Sequence, residues 1–473
     1  MLRLVQTRLY RAELMTRMPF RFGIANMTAV PHVFVDVQVE FADGVRRGVA
    51  ADHLPPKWFT KNPSRSVTEE ISEMELVISH AQGQALEIGE AASPFAFWQE
   101  LWKRSESWVR SSGLPPLLVH FGTSLVERAV IDAFCRARGQ SFAAALRENT
   151  LGIDLGAIHP SLAGSQPRSW LRPPPQRLFA RHTVGLSDPL TEAEMASEDR
   201  LDDGLPQSLE ACIGRYGLHH FKIKIGKPDD LPRLRAIAAV LDRFAPADYA
   251  CTLDGNENFP DLAGFKDFWS QFSADPSLAE MRSRLLFVEQ PFHRAVALTP
   301  EIGAMAERWP SRPPIVIDES DAELCSLPQA LALGYSGTTH KNCKGVMKGI
   351  ANACLLAQRR RERPGVRWSF SGEDLSNIGP VALLQDLAAQ AALGVESVER
   401  NGHHYFAGLS MWPKSVQTQV LRHHPDLYRE TERGWPAVRI EDGTISVASV
   451  AAAPFGVGFE VDPAVIVGGQ ASA

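Results

Sequence analysis

Apolar and polar residues alternate along "HVFVDVQVEFADGVRRGVA" (residues 32–50). A period of two places successive side chains on opposite faces of a strand. Asp43-Gly44 interrupts the run as a hairpin turn would. Residues 1 to about 50 are therefore predicted to form antiparallel strands. From 65 to 150 the period lengthens, as in "SLVERAVIDAFCRARGQSFAAALREN", and predicts helices with one buried stripe. Residues 151–180 are rich in Pro, Gly and Ser ("HPSLAGSQPRSWLRPPPQR") and read as a connecting excursion.

From His182 onward strand-like and helix-like runs take turns. Strands are predicted at 182–186, 220–225, 249–254, 285–289, 314–318, 337–341, 367–370 and 394–398. Helices are predicted near 208–216, 231–244, 261–273, 299–309, 322–333, 345–361 and 376–392. Such repetition implies parallel strands with right-handed crossovers. The number of units favours a closed barrel over an open sheet. The fold class is thus α/β: a (β/α)8-type barrel with an α+β N-terminal capping domain. The expected boundaries are 1–150 for the cap, 151–181 for the connection and 182–400 for the barrel. A C-terminal segment, 401–473, should return to the cap, because "GWPAVRIEDGTISVASVAAAPFGVGFEVD" regains strand-like alternation.

Composition narrows the function classes. The 473 residues are 44% hydrophobic and 22% charged, with a net charge of −6. Those values suit an ordinary soluble protein and give no reason to expect nucleic acid. No apolar run reaches the roughly 18 residues of a membrane span. The N-terminus, "MLRLVQTRLYRAELMTRMPF", is interrupted by charges and lacks a signal-peptide core. The six cysteines are scattered without a CxxC pair, which reads as reduced thiols in a cytoplasmic protein.

One strand contradicts its own surroundings. In "HFKIKIGKPDD", Lys222 and Lys224 share a face, although the strand lies mid-chain where both faces should be covered. Barrels of this type gather active-site residues where strands end. Strand ends supply Asp254 and Asn256 in "CTLDGNEN", Glu289 in "LLFVEQPF", Asp318 and Glu319 in "PIVIDESD", and Lys341 in "GTTHKNCKG". Asp254, Glu289 and Asp318 recur about once per strand–helix unit, so three adjacent strands would bring them to one level. Three converging carboxylates repel unless a cation lies among them. Oxygen ligands without His or Cys favour Mg²⁺ over Zn²⁺. Lysines from the second and sixth strands would flank that ion, and a buried lysine can lose its proton near neutral pH.

The ordered set KxK, DxN, EQP, DES and a later lysine resembles the enolase superfamily, and within it the mandelate racemase/muconate lactonizing enzyme family, lysine–lysine subgroup. The resemblance covers about 180–400, and more weakly the cap and "PFGVGFEVD". It implies Mg²⁺ held by Asp254, Glu289 and Asp318, and a small-molecule carboxylate substrate bound to that ion. It implies that Lys224 is a base on one substrate face and Lys341 an acid or base on the other. Lys222 would add positive charge near the substrate carboxylate and lower the pKa of Lys224. Asn256 and Glu319 would orient ligands or a lysine. Cap loops 17–27 and 51–61 would read the rest of the substrate. Proton abstraction leads to racemisation or epimerisation, with elimination or cycloisomerisation as the alternative outcome and a non-catalytic binding barrel as the opposing reading. The resemblance also implies a homo-oligomer.

Other residues have bland readings. Lys344 is expected to open the next helix, and His340 to pack between barrel and helices. Glu373 and Asp374 are read as helix caps, with substrate binding as the alternative, and His403 and His404 as loop residues, with a base or substrate contact as the alternative. The seventh strand end, "RWSFSGED", lacks the His of the mandelate-racemase-like arrangement. "HKNCKGVMKG" matches the usual sixth-strand pattern only loosely.

Overall fold

The computed structural model describes residues 1–226, 230–303 and 309–468. The expected alternation near the N-terminus becomes a meander of β1 (Leu2–Phe22), β2 (Ala25–Phe41) and β3 (Gly44–His53). A short β4 (Glu90–Ala91) completes the sheet in the order β3-β2-β1-β4. Helices α1 (Val67–Leu86) and α3 (Pro116–Arg138) pack on it, with α2 (Pro94–Ser112) and α4 (Phe142–Glu148) beside them. Ser66 and Glu69 start α1 with a reciprocal capping box, which satisfies two otherwise orphaned backbone donors. Helix α3 is buried from Leu117 to Cys135 because it is packed on both sides. It reaches the sheet so closely that a Cβ at Gly48 would stand 2.0 Å from the Ala129 carbonyl oxygen. Within this joint, Arg128 Nη2 donates to Asp52 Oδ2 at 2.7 Å, so two charges with almost no exposure neutralise each other.

The barrel has eight parallel strands: β5 (Arg177–Val184), β6 (His220–Lys224), β7 (Ala250–Asp254), β8 (Leu285–Glu289), β9 (Ile315–Ile317), β10 (Gly337–His340), β11 (Ser369–Gly372) and β12 (Ser397–Arg400). Each pairs with its neighbour, and β12 closes the ring on β5 through Val398↔Ala180 and Arg400↔His182. Strands β6 and β10 are four places apart in this ring of eight and so face each other across it. The helix expected at 376–392 begins only at Ala382. Of the helix expected at 299–309, Pro300–Gly303 is helical and residues 304–308 lie outside the described residues.

The tail corrects one expectation. Its strand Thr444–Ser446 pairs antiparallel with β5, through Thr444↔Phe179 and Ser446↔Arg177, not with the N-terminal sheet. The start of β5 offers a free edge there, because pairing with β6 begins only at Arg181↔His220. The segment beyond does reach the cap. Phe142 N donates to Pro454 O at 2.6 Å, and the Phe142 and Phe455 rings lie 4.8 Å apart. The six cysteines form no disulfide. Among the described residues no helix is long and apolar enough to cross a membrane.

Candidate active site

The period of two decides what enters the barrel. On β6 it turns Lys222 and Lys224 inward together. Lys222 is almost wholly buried, and its Nζ is ringed by acids: Asp254 Oδ2 at 3.0 Å, Glu289 Oε2 at 2.8 Å, Glu373 Oε2 at 2.7 Å and Glu399 Oε2 at 3.1 Å. Burial alone would lower the lysine pKa, but Asp254, Glu289, Glu373 and Glu399 together outweigh it and hold it well above the ordinary value. The expectation that burial would bring a lysine of this strand toward neutrality therefore fails for Lys222. Lys224 Nζ lies 2.5 Å from Asp254 Oδ2. Asp254 pays the desolvation cost of burial, yet Lys222 and Lys224 keep its pKa below the usual range.

The opposite wall mirrors this one. Lys341, just past β10, places Nζ 2.6 Å from Asp318 Oδ2 and 2.8 Å from Glu373 Oε2. Burial opposes its charge, but Asp318 and Glu373 raise its pKa well above normal. Lys344 does not open the following helix toward solvent. A 3-10 turn, Asn342–Lys344, follows Lys341, and side chains three apart in such a turn are superposed. Lys344 Nζ thus joins Asp318 Oδ1 at 3.0 Å and the Thr339 carbonyl at 2.6 Å. Thr339 Oγ1 donates to the same Oδ1 at 2.5 Å. Asp318 is further set by Gln290, whose Oε1 accepts the Asp318 amide at 2.7 Å.

Of the three carboxylates expected to meet, Glu289 and Asp318 do so with Glu373. One oxygen from each of these three lies within 4.8 Å of the others, all fully buried. Asp254 is turned to the lysines and to the Asn256 amide, 2.9 Å from its Oδ1. Neither Glu373 nor Asp374 caps a helix, because the helix begins only at Ala382; Asp374 instead accepts from Ser376 N and Asn377 N in the loop. Glu373 continues the inward row of Ser371, and Arg181 from β5 meets both. Glu399 on β12 is a further inward acid; it accepts from Thr183 Oγ1 at 2.8 Å. Sequence reading missed Glu399 and Arg181, although each sits at the inward parity of its strand. The hard oxygen donors of Glu289, Asp318 and Glu373 fit a divalent cation such as Mg²⁺. Beside them, Asn256 Oδ1 and Glu319 Oε2 are buried acceptors with no hydrogen-bond partner among the described residues. Burial, with Asp318, Glu257 and Asp254 nearby, pushes the Glu319 carboxyl up to about 8. Asn256 Nδ2 reaches Glu319 Oε1 at 3.5 Å.

The barrel mouth is strained beside the carboxylate cluster. Asn256, Glu257 and Gln290 follow β7 and β8 with φ of +39°, +63° and +33°. Non-glycine residues hold such angles only when their surroundings compel them. Arg294 supplies part of that compulsion, pairing with Glu257 at 2.7 Å and donating to the Trp58 and Phe59 carbonyls of the cap. Lys61 of the cap donates to the Asn256 carbonyl and to Asn258 Oδ1. A cavity results between cap and barrel. Its floor includes Lys224, Lys341, Asp254 and Asp318; its roof is Phe20, Phe22, Met27 and Trp58 from the two expected cap loops. Lys341 Nζ stands 5.3 Å from the Trp58 ring centre. His340 points outward and bonds Asn342 Oδ1 at 3.1 Å. His404 is buried and His403 half-buried outside the barrel wall, and neither lines this cavity.

No family model matches the chain, and no curated protein does. Solved structures do. A mandelate racemase/muconate lactonizing protein from Herpetosiphon aurantiacus superposes with a TM-score of 0.58 at 18% identity, over 97% of this chain and 99% of that one. A dipeptide epimerase from Cytophaga hutchinsonii, complexed with Mg and the dipeptide D-Ala-L-Val, gives 0.56 at 15% identity, over 94% and 96%. A muconate lactonizing enzyme from Mucobacterium smegmatis, complexed with muconolactone, gives 0.53 at 18% identity, over 98% and 97%. The chain has the capped-barrel fold of these proteins.

Proposed function

We propose that this chain is an enzyme of the enolase superfamily, mandelate racemase/muconate lactonizing enzyme family, that removes the proton α to the carboxylate of a small substrate. The observation that carries the reading is the placement of Lys224 and Lys341 in one cavity, on strands facing each other across the barrel, with a buried carboxylate cluster between them. Glu289, Asp318 and Glu373, with Asp254 beside them, would hold Mg²⁺. Bound there, the ion would neutralise the charge that develops on the substrate carboxylate as the α-proton leaves.

The remaining work belongs to the chain. Lys224 takes the proton from one face; Lys341 returns one to the other, which gives racemisation or epimerisation. Lys222 stays charged and attracts the substrate carboxylate. Trp58, Phe20 and Phe22 exclude water and receive an apolar substituent. A second outcome, elimination or cycloisomerisation, is favoured by one detail. Lys341 is held by two acids, an arrangement suited to a fixed cation.

Proton NMR in D₂O with Mg²⁺ and pooled amino acids, dipeptides, hydroxy acids and acid sugars tests the reading. Loss of an α-proton signal supports it, and deuterium in both stereoisomers selects the two-base route. No exchange across the pool, with Mg²⁺ shown to bind, would overturn it.

A further inference from the structure

The outer face of the barrel carries a second cluster with different chemistry. On β5, Arg181 and Thr183 face inward to Glu373 and Glu399. His182, between them, must face outward. There it meets α5 (Leu209–Tyr216) and the short helix Gly402–Tyr405 that follows β12. His182, Cys212 and His404 each present a ligand atom, all three within 4.8 Å of one another, and all three residues are buried. Cys212 Sγ stands 3.6 Å from His404 Nδ1. A tetrahedral zinc ion, with bonds of about 2.3 Å to sulfur and 2.0 Å to nitrogen, places such a pair about 3.5 Å apart.

The surroundings orient the imidazoles as metal ligands are oriented. His182 Nδ1 pairs with His403 Nε2 at 3.2 Å, which leaves its Nε2 free for the cluster. His404 turns Nδ1 to Cys212 and Nε2 toward Asp188 Oδ2, 3.9 Å away.

We propose that His182, Cys212 and His404 form a site for a thiophilic transition metal of the Zn²⁺ class, separate from the oxygen cluster inside the barrel. Its consequence reaches the substrate cavity. Arg17 Nη1 donates to the His404 carbonyl at 2.9 Å, and the adjacent Tyr405 ring stacks on Phe20 at 4.1 Å. A metal that pins His404 to α5 and β5 thereby fixes the cap loop that roofs the cavity. The inference does not rest on the proposed reaction, since its ligands and its readout lie outside that cavity.

The test uses full-length protein, stripped with a chelator and titrated with Co²⁺ in saturating Mg²⁺. We expect one tightly bound Co²⁺ per chain with a thiolate-to-cobalt charge-transfer band, which oxygen ligands cannot produce. Cys212→Ser should abolish the band, His182→Asn should weaken binding at least tenfold, and Cys325→Ser, at the exposed cysteine, should change neither. Absence of the band in folded wild-type protein overturns the proposal. So does a band that survives Cys212→Ser or vanishes with Cys325→Ser. Should Cys212→Ser not fold, His182→Asn and His404→Gln carry the same decision.

Discussion

Glu373 Oε2 lies 2.7 Å from Lys222 Nζ. The same oxygen is 2.8 Å from Lys341 Nζ, so one carboxylate ties together lysines from facing strands. Burial would raise the Glu373 pKa, but Lys222, Lys341 and Arg181 hold it well below the usual range. Replacing it with Gln keeps the shape and removes the charge. Glu373→Gln should weaken Mg²⁺ binding by at least tenfold, measured by calorimetry, and slow α-proton exchange by about a hundredfold or more. Unchanged Mg²⁺ affinity would remove Glu373 from the cation site.

The two lysines should fail differently. Lys224→Ala should abolish exchange of the α-proton on one substrate face while Mg²⁺ binding persists, because Asp254 is not among the three closest oxygens. Lys341→Ala should abolish exchange on the other face if racemisation is the reaction. If Lys341 acts only as a cation, single-face exchange should survive in this variant at reduced rate. NMR of each variant with each stereoisomer in D₂O separates these outcomes.

Residue parity explains what the sequence revealed and what it hid. KxK on β6 was legible because two lysines two apart on an interior strand have no bland role. Asp254, Glu289 and Asp318 were legible because each ends a strand at a regular interval. Glu373 was hidden by Asp374, since either could cap a helix and only the inward row from Ser371 separates them. Lys344 was hidden because its place depends on a 3-10 turn after β10, not an immediate α-helix. The strand Thr444–Ser446 was legible as a strand, but its partner depended on how far β5 extends before β6 joins it. The His182–Cys212–His404 cluster joins residues from three distant segments, and no sequence spacing announces it.

The strained mouth should depend on Arg294. Its guanidinium neutralises Glu257, which has almost no exposed side chain, and holds two cap carbonyls. Arg294→Met leaves a buried carboxylate unpaired, a loss of roughly 3–5 kcal/mol. The melting temperature should fall by several degrees. Hydrogen exchange at the backbone of residues 55–61 should quicken before global unfolding. Unaltered exchange there would mean that the cap loop is fixed by other contacts.

Acid–base linkage should be visible where the cap meets the barrel. Glu127 of α3 accepts the amides of Val346 and Met347, at 3.1 and 2.6 Å, where a barrel helix begins. Burial nevertheless dominates and raises its carboxyl to about 7, from an ordinary 4.5. Between those two values the folded protein keeps a proton that the unfolded chain has released. Stability from this group therefore falls as pH rises through the window, by about 1.4 kcal/mol per unit, and levels off above it. His182 acts in the opposite sense. Its folded pKa of about 4 lies below the ordinary 6.5, so its contribution is lost as pH falls between them. These slopes overlap with each other and with that of Glu319, whose carboxyl is raised to about 8, and the wild-type profile alone cannot separate them. The difference between wild type and Glu127→Gln can. Gln leaves one amide unsatisfied, a constant offset of about 1–3 kcal/mol. On top of it, denaturant unfolding from pH 4.5 to 7 should show the variant gaining on wild type by about 3 kcal/mol in total. A difference that stays flat across the window would mean that Glu127 is ionised throughout and that the two amides outweigh its burial.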